Sequence, residues 1–72
     1  MDTTVTRLDK FSAPYGKEVT LENVTYENGM RILRIHIREG NRFTVMDIDE
    51  NTASNWGTVM CDWVDQTKKK HS

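Results

Sequence analysis

The sequence predicts a small α+β protein, a three-stranded antiparallel meander with one C-terminal helix packed on one face. The dipeptides Asn28-Gly29 and Gly40-Asn41 each separate two runs of alternating apolar residues, which is a strong hairpin signal. Beyond the last run, apolar residues recur at helical spacing. Because the chain has 72 residues, we expect a single domain, 1–72.

The predicted strands span Glu18–Tyr26, Met30–Arg38 and Arg42–Ile48. A two-residue turn at Gly40-Asn41 makes one face of the second hairpin almost entirely apolar. That face carries Leu33, Ile35, Ile37, Met46 and Ile48, and the opposite face carries Arg34, His36, Arg38, Phe43, Val45 and Asp47, with Arg34 opposite Asp47. Turn and pattern therefore agree on the register, as one buried face requires.

The first hairpin is less regular. A two-residue turn at Asn28-Gly29 sets Glu22 opposite Ile35, which is an unfavourable pair on a buried face. One extra residue near Glu22-Asn23, a β-bulge, brings Leu21 opposite Ile35 instead. The sequence therefore predicts a bulge at this point of the first strand.

The helix is expected to begin after Asp49, a good N-cap, with Glu50 at the positive end of the helix dipole. Its apolar stripe comprises Ala53, Trp56, Met60, Trp63, Val64 and Thr67. We expect this stripe to lie across the apolar sheet face and both indoles to form the core. Gly57, beside the stripe, suggests a close approach to the sheet.

Both ends of the chain are expected to be flexible. Residues 1–10 are polar and show no sustained period, which predicts a flexible arm. The segment Ala13–Gly16 has Pro at its second position and Gly at its fourth, which predicts a turn. Residues 68–72 are predicted to form a flexible tail.

Composition excludes several classes of protein. The net charge is −1 and the pI is about 6.1, so neither nucleic acid nor an anionic membrane attracts the whole chain. No signal peptide and no apolar run long enough for a membrane span is present, and we expect a cytoplasmic protein. The single cysteine, Cys61, forms no internal disulfide. A chain this small with a thin core favours oligomerisation.

No residue pattern predicts catalysis, a cofactor or a metal site. His36 lies between Arg34 and Arg38 without an acid or nucleophile at a catalytic spacing. The segment 47–51 imitates an EF-hand opening, but Thr52 and Thr58 replace the required Gly and Glu. We therefore expect a protein that is not an enzyme and has no cofactor.

The sheet face opposite the helix is the candidate functional surface. It mixes arginines with exposed apolar side chains, as protein interfaces do. The predicted interface comprises Arg34, His36, Arg38, Phe43 and Val45. The N-terminal arm could cover this face through Phe11 and Tyr15, and so could a second copy or a different protein. We favour a protein-binding or accessory module that self-associates through this face as a homodimer.

Nucleic acid is the alternative partner for the same face. Arg31, Arg34, Arg38 and Arg42 can meet phosphates, and Phe43 can stack on a base. Nearby acidic residues (Glu18, Glu22 and Asp47) neutralise much of that charge, whereas phosphate binding needs a net basic patch. Nucleic acid is therefore the less favoured partner.

The runs Phe11–Gly16, Ile37–Thr44 and Met46–Asp49, with Trp56-Gly57 and Asp62-Trp63, extend over most of the chain. Together they resemble a family of short uncharacterised proteobacterial proteins of unknown function. The resemblance implies a bacterial, stand-alone, soluble protein. It implies no activity, and no functional residue follows from it.

Overall fold

The computed structural model describes residues 2–69, with side chains described to residue 66. Four strands form one sheet in the order β1-β2-β3-β4, and every neighbouring pair is antiparallel. The elements are β1 (Thr4–Ala13), β2 (Lys17–Thr25), β3 (Arg31–Glu39), β4 (Arg42–Ile48) and α1 (Glu50–Lys69). The predicted class, an α+β meander with a C-terminal helix, is confirmed, with four strands instead of three.

Strand β1 replaces the flexible arm predicted for residues 1–10, so that prediction is wrong from Thr4 onward. The register shifts between Arg7 and Asp9, leaving Leu8 without a partner on β2. Before this bulge the inner-face positions of β1 are even-numbered (Thr4, Thr6), and after it they are odd-numbered (Asp9, Phe11), so no single alternation runs through the strand. Of the predicted tail, residues 68 and 69 end α1, and 70–72 lie outside the described residues.

The β2–β3 hairpin closes through a three-residue turn. The Tyr26 N–H donates to the Met30 carbonyl oxygen at 2.8 Å, and the Gly29 N–H donates to the Tyr26 carbonyl oxygen at 2.9 Å. Gly29 has a φ of 89°, which suits glycine at the left-handed position of such a turn. The extra residue inferred from the sequence therefore belongs to the turn.

The strands beyond this turn pair without interruption, so the predicted bulge at Glu22-Asn23 is wrong. The predicted pairing of Leu21 with Ile35 is confirmed. In the second hairpin the predicted register is confirmed throughout, and Gly40 has a φ of 59° at the first position of the two-residue turn.

Directly opposite residues share a face, so the register defines two faces of the sheet. The inner face carries Leu33, Ile35 and Ile37, and the outer face carries Arg34, His36 and Arg38. Helix α1 begins beside the inner face, where Arg31 on β3 donates two hydrogen bonds to Glu50 Oε1 at 2.8 and 3.1 Å.

Helix α1 meets the sheet only near its N-terminus. Asp49 caps it as predicted, because its Oδ1 accepts a hydrogen bond from the Thr52 N–H at 2.8 Å. Thr52 and Ala53 are half-buried, whereas every residue from 54 to 66 is exposed. The expected core role of the indoles is not fulfilled within one chain, because Trp56 is 38% exposed and Trp63 is 68% exposed.

The chain is extended for its size. Its radius of gyration is 15.1 Å, and its dimensions are 53 × 31 × 15 Å. A compact domain of this length has a radius of gyration of about 11 Å. Among residues 2–66, only Val24 (0% exposed) and Ile48 (7% exposed) are buried.

Candidate functional site

The outer face is organised in rows that run across all four strands. One row consists of Arg7, Glu22, Arg34 and Asp47, so that positive and negative side chains alternate from strand to strand. Opposite charges on directly facing residues stabilise a sheet. The charges of this face therefore largely satisfy one another.

Arg34 and Asp47 form a bidentate pair on the outer face. Arg34 Nε lies 2.9 Å from Asp47 Oδ1, and Nη2 lies 3.1 Å from Oδ2, which is the bidentate geometry. The hydrogen bond from Arg34 holds the pKa of Asp47 below its usual value of 3.8, and the same bond raises the pKa of Arg34. The pairing of Arg34 with Asp47 predicted from the second hairpin is confirmed.

His36 contacts Glu22, an acidic residue that the sequence places on the same surface without indicating this pair. Its Nε2 lies 2.6 Å from Glu22 Oε1 on β2. Glu22 stands opposite Arg34, one diagonal step from His36, because the three-residue turn shifts the register. A correct reading of the Glu27-Asn28-Gly29 turn would have found this neighbour. The pair holds the imidazole against the sheet.

The groove around His36 is open to solvent. It is lined by Arg7, Glu18, Thr20, Glu22, His36, Arg38 and Phe43. Among the described residues that line it, Thr20, directly opposite His36, is the only one with a hydroxyl group. No group of three or more His, Cys, Asp or Glu side chains able to hold a metal ion occurs within the described part of the chain.

Phe43 and Val45 project from strand β4, at one edge of the outer face. Phe43 is 71% exposed and Val45 is 54% exposed. The Arg38 guanidinium carbon lies 5.9 Å from the centre of the Phe43 ring, within cation–π range. The five predicted interface residues therefore share one surface, with the apolar pair at its β4 edge.

The N-terminal segment does not cover this surface, which excludes one of the coverings considered from the sequence. Phe11 pairs with Val19 on the inner face, and Tyr15 is 92% exposed at the β1–β2 turn. Strand β1 instead widens the outer face by adding Val5, Arg7, Lys10 and Ser12.

The inner face is apolar and largely uncovered. Leu8, Phe11 and Met46 are 57%, 43% and 39% exposed, although the face they share is the hydrophobic one. The helical stripe is also open, with Met60 62% exposed and Val64 42% exposed. Exposed apolar area of this extent is typical of an interaction surface.

The comparisons with known proteins define a family without defining an activity. A model of a family of unknown function, DUF6967, matches residues 2–66, and the chain belongs to that family. No curated protein matches the chain. No solved structure matches it either. Within residues 2–69, no helix has the length and apolar character needed to cross a membrane.

Proposed function

We propose that this protein is a small non-catalytic protein-binding or accessory module that works as a homo-oligomer. The observation that carries this proposal is that the chain exposes more surface to solvent than a compact monomer of the same mass. A compact monomer of 8.4 kDa exposes about 4,600 Å². This chain exposes 6082 Å², and its large apolar side chains contribute prominently to that area. Association removes apolar surface from water and is therefore favourable.

The outer face supplies a docking surface for a protein partner. Phe43 and Val45 are its apolar anchors, and Arg38, His36 and Arg34 orient the partner. Because Arg34 is already held by Asp47 and His36 by Glu22, these groups lose little freedom on binding. Preorganised arginine and aromatic side chains are typical hot-spot residues.

Self-association through the outer face, favoured from the sequence, remains a prediction. Because paired charges occupy much of the outer face, that face offers less exposed apolar area than the inner face and the helix together. We therefore assign the outer face to a different protein and treat a second copy there as the alternative. The bacterial origin and cytoplasmic location inferred from the sequence also remain predictions.

A nucleic-acid role for the outer face has weaker support. Its cations are Arg7, Lys10, Arg34 and Arg38, and its acidic residues are Glu18, Glu22 and Asp47. Arg31 and Arg42, expected from the sequence to meet phosphates on this face, belong by register to the inner face, opposite Thr25 and Glu39. Lys10 Nζ lies 3.6 Å from Glu18 Oε1, and Arg34 is paired with Asp47. Few positive charges of this face therefore stay available for phosphates. Salt-dependent retention on heparin or RNA would favour this alternative.

An enzymatic role draws support from one contact, that between His36 and Glu22. A histidine beside a carboxylate can act as a general base when a substrate reaches it. The open groove around this pair offers little exclusion of water, and substrate sites are usually concave and mostly enclosed. The non-catalytic proposal therefore fits the geometry better.

Light scattering coupled to size-exclusion chromatography tests the proposal directly. We expect a mass that is a whole multiple of 8.4 kDa, at least twice that value, at micromolar chain concentrations. A mass of one chain across the whole concentration range would contradict the proposed self-association.

A further inference from the structure

We infer that two copies of this chain form a closed dimer in which the helical stripe of each copy covers the inner face of the other. This inference rests on the proposed self-association and names the surface that produces it. The exposed members of this stripe are Trp56, Met60, Trp63 and Val64.

The first observation is a sheet that lacks its second layer. The inner face presents Phe11, Leu21, Ile35, Ile37 and Met46 from all four strands. A sheet with one apolar face is stable when another layer covers that face. Helix α1 covers only the end near Leu33 and Ala53, which line a common cleft with Leu8.

The second observation is a helix that lacks its sheet. Two indoles, a methionine and a valine follow one side of α1, and all four side chains are at least 38% exposed. An amphipathic helix derives most of its stability from packing of its apolar side. The same chain therefore presents an apolar sheet face that is largely uncovered and a helix whose apolar side is exposed.

The two surfaces match in size. The exposed part of α1, residues 54–66, is about 20 Å long at 1.5 Å per residue. A four-stranded sheet measures about 14 Å between the axes of its outer strands. A single helix, about 10 Å across with its side chains, therefore fits on each inner face.

The position of α1 indicates that the partner is a second copy, because two copies can exchange their helices. The beginning of α1 is fixed by the Asp49 cap and by the Arg31–Glu50 ion pair at 2.8 Å. From this fixed point the helix continues without a break to Lys69, and residues 54–66 are all exposed, so this part of the helix does not cover the sheet of its own chain. In a two-fold arrangement each helix reaches the partner's inner face, and the assembly closes.

The surface area also agrees with a dimer. One chain exposes 6082 Å², about 1,500 Å² more than a compact monomer of its mass. Removing that excess from both copies buries about 3,000 Å² in total, which lies within the range of obligate homodimers. The outer face stays on the outside of such a dimer and remains accessible to a different protein.

A matched pair of helix variants tests the inference in the full chain. Met60 lies in the middle of the stripe, and Thr58 lies on the opposite side of the same helix. Both positions are exposed in the single chain, so neither Met60→Asp nor Thr58→Asp disturbs the fold of that chain. We expect Met60→Asp to raise the dimer dissociation constant at least about 100-fold, because it buries a carboxylate. Thr58→Asp should change it by about twofold at most.

Light scattering and small-angle X-ray scattering give the masses and radii of gyration. A wild-type dimer that Met60→Asp dissociates and Thr58→Asp preserves supports the inference. A wild-type dimer that is dissociated by Phe43→Asp but not by Met60→Asp overturns it, while the proposed self-association stands. Loss of the dimer in both helix variants also overturns it. A wild-type monomer overturns the inference and the proposed self-association together, and a radius of gyration near 11 Å would then indicate a helix folded onto its own sheet.

Acrylamide quenching of tryptophan fluorescence provides a second measurement that does not depend on the folding of any variant. In the inferred dimer Trp56 and Trp63 are buried between helix and sheet, so quenching should be weak and should increase on dilution below the dissociation constant. A dimer whose indoles are quenched as readily as free tryptophan would overturn the inference.

Discussion

The two faces of the sheet satisfy their side chains in different ways. On the outer face, Arg34 pairs with Asp47 and His36 with Glu22, both within a single chain. On the inner face, Phe11 and Met46 remain 43% and 39% exposed, although that face is the apolar one.

The difference has a simple physical origin. Ion pairs and hydrogen bonds form between neighbouring strands, so a polar face completes its contacts within the sheet. Apolar side chains lose contact with water only when a second layer covers them. A single chain therefore completes the contacts of its polar outer face, whereas most of its helix does not cover its apolar inner face.

The largest expected effect on stability is that of replacing Val24. This residue belongs to the outer face and is completely buried, with 0% exposure. Val24→Ala should lower the free energy of unfolding by about 2 kcal/mol, because it removes two buried methyl groups and leaves a cavity. Urea denaturation at a fixed chain concentration measures this change.

Val45 is the matched control, since it is a valine on the same face with 54% exposure. Val45→Ala should change the free energy of unfolding by no more than about 0.5 kcal/mol. Equal losses for the two variants would show that the outer face is not completed within one chain.

An intermediate effect is expected at Gly57. A Cβ at this position meets no atom within 4 Å, which corrects the expectation that Gly57 allows close approach to the chain's own sheet. In the Met60→Asp background, Gly57→Ala should therefore raise the free energy of unfolding by up to about 1 kcal/mol through helix propensity.

The same substitution sharpens the comparison when it is made in the wild-type chain. If the partner's sheet lies against this part of α1, the added methyl group meets it, and the gain in stability should be smaller. An identical gain in both backgrounds would mean that Gly57 faces solvent in the assembly as well.

The smallest expected effect is the contribution of Asp47 to the pH dependence of the free energy of unfolding. Its pKa is lowered in the folded chain by the hydrogen bond from Arg34, and that of Asp49 is lowered by the hydrogen bond with Thr52. A carboxyl group whose pKa is lowered by folding stabilises the folded chain. This stabilisation is fully present at pH values above the pKa of the unfolded chain, near 3.8, and is lost as the pH falls below it.

Asp47→Asn should therefore reduce the loss of stability between pH 5 and pH 2.5, measured by urea denaturation at each pH. Arg34→Gln should reduce it by a similar amount, because it removes the same hydrogen bond. A pH dependence that neither variant alters would show that this pair does not stabilise the outer face.

The local elements were largely determined by the sequence. Three of the four strands, the Gly40-Asn41 turn, the Asp49 cap and the pairing of Arg34 with Asp47 followed from short-range patterns, because turns and caps depend on neighbouring residues. The register of β2 with β3 was found correctly at Leu21, although the extra residue was placed at the wrong point.

Other features were decided only by the tertiary structure. The bulge around Leu8 hid β1 from the sequence pattern, since a bulge reverses the alternation on which strand prediction depends. The contact between His36 and Glu22 required the pairing of two strands joined by a turn of unexpected length. The direction of α1 also lay beyond the sequence, because its apolar stripe shows that the helix must pack on an apolar surface but does not show which surface covers it.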